Sequence, residues 1–99
     1  MRLTMVLKCF AILDIKAELF GPPFFMSTNG EAVRAFKDLS NDRNTTVGKH
    51  PEDYRLMRLG TFDNVSGKLS EVEPGSLGFG SDYMDLPSGA VPIGVKAVS

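Results

Sequence analysis

Four near neighbours carry the side chains best suited to chemistry: His50, Glu52, Asp53 and Tyr54, in the stretch KHPEDYRLMRLGTFD that spans 49–63. An imidazole beside two carboxylates and a phenol is equipment for proton transfer or for holding a metal ion. The partners such chemistry needs are missing. A metal centre takes three or four ligands, and the chain has one His and one Cys, in different elements. No Ser or Cys sits in a G-x-S-x-G elbow. A tyrosine nucleophile of the rolling-circle kind would need a second histidine for its metal. Gly75-Ser76-Leu77-Gly78-Phe79-Gly80 has its glycines in the wrong order for a dinucleotide loop, with no helix following. The expectation is therefore a nonenzymatic protein with no catalytic residue, cofactor or metal. His50 reads as structural: Pro51 drives it into extended backbone, and Pro51-Glu52-Asp53 makes a turn before a strand.

Nucleic-acid binding is the stronger functional reading. Single-strand binders combine cations along a groove with aromatic rings on which bases stack. Lys49, Arg55, Arg58 and Lys68 lie close in sequence to Tyr54 and Phe62, and these six residues are the candidate contacts. On a strand of period two, Tyr54, Arg58 and Phe62 share one face. Bulk charge gives no help, because the net charge is −1 and phosphate affinity rests on a surplus of Lys and Arg. Residues 1–68 balance at +2 and 69–99 at −3, so the acidity belongs to the C-terminal part.

The elements that must position these residues are legible in outline. VLKCFAIL (6–13) is apolar at seven of eight positions and short, which suits a central strand. ELFGPPFFM (18–26) is broken by Gly21, Pro22 and Pro23 and reads as an irregular, extended path. Thr28-Asn29-Gly30-Glu31 has the spacing of a capping box, and Ala32, Ala35, Phe36 and Leu39 form an apolar stripe behind it. A helix of about three turns follows, ended by Ser40, Asn41, Asp42 and Asn44. Residues 44–51 read as a loop, 54–62 as a second strand, 63–67 as a hairpin connection and 68–72 as a returning strand. Pro74–Ser99 carries three Pro and five Gly in 26 residues, a composition of mobile segments, with SGAVPIGVKAV as a more apolar patch within it. The fold expected is α+β, a small antiparallel sheet in β-α-β-β order covered by one helix. Residues 1–73 form the domain and 74–99 a flexible Gly/Pro-rich tail.

Ninety-nine residues suffice for one small domain. The single cysteine, Cys9, lies in an apolar run and reads as a buried thiol in a reducing interior. Lys8 and Asp14 interrupt the N-terminal apolar run, which argues against a secretory signal, and no window is apolar enough to span a bilayer. No membrane role is expected.

Three segments, FAILDIKAE (10–18), PPFFMSTNGEAVRAFKDLSND (22–42) and KHPEDYRLMRLGTFD (49–63), together resemble the small nonstructural protein of gokushovirus-type microviruses. These are tailless bacteriophages with circular single-stranded DNA genomes. The resemblance covers roughly residues 5–73, with Met5 at the usual start, and departs at Thr61, where the family carries an acidic residue. It implies a bacterial host cytoplasm, a product distinct from capsid, scaffold, pilot protein and replication initiator, and a role in viral DNA replication or single-stranded DNA handling. The leading expectation is an accessory protein that binds single-stranded DNA. The alternative is an adaptor that recruits or modulates a replication protein through the apolar patch of the tail. A homodimer joined through sheet edges or apolar faces is expected with either.

Overall fold

The computed structural model describes residues 6–85. Its centre is strand β1 (Val6–Asp14), whose apolar run is matched along its whole length by the antiparallel strand β4 (Tyr54–Asp63). The other side of β1 is shared by two short strands, β2 (Leu19–Phe20) and β3 (Phe24–Met26), and β5 (Leu69–Phe79) pairs with β4. The order across the antiparallel sheet is β2-β1-β4-β5, with β3 beside β2 on the free side of β1.

Helix α1 (Asn29–Ser40) starts where the capping box specifies. The Thr28 hydroxyl accepts from the Glu31 N–H at 3.1 Å, and the Glu31 carboxylate accepts from the N–H groups of Ser27 and Thr28 at 2.9 and 3.3 Å. That reciprocal bonding satisfies donors that the first helical turn leaves open. The buried face of α1 presents Ala32 and Phe36 to the sheet, where they join Phe10, Leu56 and Val47 in the core. Ser40, fully buried at the end of the stripe, donates its hydroxyl to the Phe36 carbonyl at 2.8 Å. The expected α+β architecture, a small antiparallel sheet under one main helix, is the one the structure has.

Three local expectations are corrected. Residues 18–26 hold β2 and β3, because the Gly21-Pro22-Pro23 break falls between two pieces that each pair with β1. The loop at 44–51 contains one helical turn, α2 (Thr46–Lys49), capped by Thr45, whose hydroxyl accepts from the Gly48 N–H at 2.9 Å. The returning strand does not stop at Val72, and the boundary at residue 73 falls inside β5. Pro74 is tolerated there because β5 is a sheet edge, where a missing N–H breaks no ladder. Beyond it, the 3-10 turn Gly80–Tyr83 packs Tyr83 edge-on against Phe36, with ring centroids 6.0 Å apart. The side-chain amide of Asn41 donates to the Tyr83 carbonyl at 3.0 Å, and the Tyr83 hydroxyl donates to the Leu77 carbonyl. Residues 74–85 thus belong to the folded domain. SGAVPIGVKAV and the remainder of the expected tail lie outside the described residues.

Candidate nucleic-acid interface

Paired residues on neighbouring strands point to the same side of a sheet, so the register sorts the side chains. On the helix side, Phe10 pairs with Arg58 and Phe24, and Ile12 pairs with Leu56. The opposite side is open only in part: Ala11 and Met57 at its centre are buried, whereas Phe20, Phe25 and Leu69 around them are exposed. Its side chains form four rows across the strands: Phe20–Leu13–Arg55–Phe79, Ala11–Met57–Ser76, Phe25–Cys9–Gly60–Glu71 and Leu7–Phe62–Leu69.

The six candidate contacts do not form one surface. Between Arg58 and Gly60 the pairing with β1 skips Leu59, a bulge that inserts one unpaired residue and reverses the alternation. Tyr54 and Arg58 therefore face the helix, whereas Phe62 faces the open side. This corrects the expectation that Tyr54, Arg58 and Phe62 share a face. Tyr54 packs against the core, and Arg58 lies over a depression at the start of α1 with Asn29 and Glu73. The Arg58 Nε and the Asn29 Oδ1 are buried there without a hydrogen-bond partner. Lys49 ends α2 beside Arg43, Pro51 and Met84, away from the open rows. Lys68 stands exposed at the end of the β4–β5 hairpin, next to Leu69. Arg55 is on the open side.

What the open side adds is a set of aromatic rings outside the six candidates, Phe20, Phe25 and Phe79. Phe20 is 49% exposed and Phe25 41% exposed, high values for rings in a sheet. Phe25 leans on Phe62 with centroids 5.7 Å apart, and the Arg55 guanidinium lies 5.1 Å from the centre of the Phe79 ring while its Nε donates to the Ser76 hydroxyl at 3.3 Å. Period two within β3 contained the signal: Phe24 and Phe25 must point to opposite faces, so one of them had to leave the core. Phe24 stacks on Phe10 in the core, at 5.8 Å between centroids. Gly60 marks a close approach of β5 in the third row. A Cβ at this position would meet the Ser70 carbonyl oxygen at 2.4 Å, so the close approach of β5 requires glycine. A depression beside it is lined by Cys9, Leu59, Gly60, Leu69 and Glu71. Partial burial pushes the Cys9 thiol pKa up, which favours its protonated form.

His50, Glu52 and Asp53 do converge, offering ligand atoms within 4.8 Å of one another. They are near neighbours in one tight turn, closed by the Asp53 N–H donating to the His50 carbonyl at 2.9 Å. The turn is tied to the sheet by the Ile15 N–H, which donates to the Asp53 carbonyl at 2.9 Å. Residues this close along the chain converge whether or not an ion binds, so their proximity assigns no metal.

A helix layer on one side of an antiparallel sheet and partly exposed aromatic rows on the other define a two-layer α+β domain. The chain belongs to the phage ORF5 protein family, whose model matches residues 7–83, and is thereby a phage accessory protein. No curated protein and no solved structure gives a significant match.

Proposed function

We propose that the open sheet face binds single-stranded DNA, and that the protein assists viral DNA replication without being an enzyme. The setting is the cytoplasm of a bacterium infected by a gokushovirus-type microvirus, as the sequence resemblance implies. The observation that carries this reading is the exposure of Phe20 and Phe25 on a face that also holds Phe62 and the Arg55–Phe79 pair. Every base has a flat face that stacks on an aromatic ring, and sheets with bare aromatics are a recurrent platform for unpaired bases. Arg55 supplies a cation within the same rows. A duplex keeps its bases stacked on one another and offers this face only its backbone, so single strands are the preferred ligand.

Fluorescence anisotropy with a labelled oligodeoxythymidine at low salt tests the reading. Phe25→Ala and Phe62→Ala should each weaken binding by about 1–3 kcal/mol, while thermal denaturation checks that the domain still folds. Absence of binding by the parent protein, or equal binding by both variants, would refute it. The rows described above carry only Arg55 and Glu71 as charged side chains, which also favours an apolar protein surface as ligand. In that reading the protein recruits a replication protein. DNA would then leave the anisotropy unchanged, whereas an added replication protein would be retained by the parent and lost with Phe25→Ala.

A further inference from the structure

We propose that, in the absence of nucleic acid, the open face is covered by a second copy of this chain, so that self-pairing and DNA compete for the same rows. The competition rests on the single-strand reading; the self-pairing does not. Edge-to-edge association is disfavoured at both sides of the sheet. The free edge of β5 carries Glu71, Glu73 and Pro74, and the opposite edge is split by Gly21-Pro22-Pro23 between β2 and β3. Charges and prolines at edges prevent strand addition. The face is the apolar surface left, with Phe20, Phe25 and Leu69 each more than 40% exposed.

The rows are self-complementary. Along β1, the row through Leu13 and the row through Cys9 lie two residues on either side of the row through Ala11. A two-fold axis running across the strands along that middle row exchanges the outer two and keeps each residue above its own strand position. Arg55 then lands over Gly60 of the second copy, at the depression lined by Cys9, Gly60 and Glu71 of that copy. Phe20 comes over Phe25 of the second copy, and the reciprocal contacts follow by symmetry. Two sheets packed face to face about 10 Å apart accept side chains of this size between them. The sole cation of these rows meets their sole carboxylate twice.

Sedimentation velocity on the full chain over a wide concentration series reads the outcome. The expected result is a concentration-dependent doubling of mass. Arg55→Glu or Glu71→Arg alone should raise the concentration needed for dimer roughly tenfold through like-charge contact, and the double reversal should restore it. Oligodeoxythymidine should return the mass to one copy. A monomer at every concentration, or a dimer indifferent to both single reversals, overturns the pairing; a dimer that persists with DNA bound overturns the competition. Anisotropy at protein concentrations below the dimer range tests the DNA reading by itself, so the two fail separately.

Discussion

At Asp63 a single carboxylate oxygen accepts the backbone N–H groups of Val65 and Ser66, at 2.8 and 3.2 Å, and so closes the β4–β5 hairpin. Those bonds favour the ionised form and hold the Asp63 pKa below its ordinary value. A carboxylate whose folded pKa is depressed stabilises the fold above its unfolded pKa, and loses that contribution as the pH falls through the folded value. Asp63→Ala should therefore lower the melting temperature at neutral pH, and the gap to the parent should close on acidification below the ordinary carboxylate range. Thermal melts followed by circular dichroism across pH check this; a gap that stays constant would mean that the charge contributes nothing. The same local scale explains His50. Its neighbours shape a turn, and His50 itself, expected in extended backbone, is instead the cap between α2 and the 3-10 turn Pro51–Asp53, at φ −137° and ψ 60°, so the residue most suggestive of catalysis in the sequence sits in the structure at the entrance to β4.

Elements are joined here by backbone contacts that no propensity scale registers. Gly48 in α2 presses against the end of α1: a Cβ there would meet the Asp42 carbonyl oxygen at 1.9 Å and the Leu39 carbonyl oxygen at 3.0 Å. Both are backbone atoms and cannot swing aside. Gly48→Ala should cost about 3 kcal/mol, the upper range for overpacking, measured as a lower urea midpoint with unchanged slope; a loss below about 1 kcal/mol would show that α2 can shift away from α1. Helix α1 was legible in the sequence because its capping box and apolar stripe are local, and β1 because a short apolar run has few other uses. The bulge at Leu59 was not legible. Alternation along β4 is a local rule, and the extra residue is revealed only by the register with β1, so the face assigned to Phe62 came out reversed. β5 was shortened for a related reason: Pro74 and Gly75 read as breakers anywhere except at an edge, and edge position is a property of the whole sheet. Of the six candidate contacts, Arg55 and Phe62 lie in the open rows and Lys68 at their hairpin end, while Phe20, Phe25 and Phe79 were not among the candidates because each stands beside a glycine, a proline or another phenylalanine.

For the whole molecule the distribution of charge decides what kind of nucleic-acid binder this is. The chain is nearly neutral, and of the four cations picked out in the sequence only Arg55 lies in the open rows, with Lys68 at their hairpin end. Arg58 is under the helix layer and Lys49 is on α2. Binding through all four would release enough counterions for a log–log salt slope of about −2.8 on single strands, whereas Arg55 and Lys68 alone give about −1.4. Stacking, unlike phosphate contact, is little affected by salt. The protein should accordingly bind oligodeoxythymidine with a shallow slope near the smaller value, and Arg55→Gln should flatten it further by about 0.7. A slope near the larger value, unchanged by Arg55→Gln, would move the DNA off the open face and onto the cations of the helix side. Phe25 and Phe62 would then be free to serve the second copy alone, and the competition between DNA and self-pairing would disappear with them.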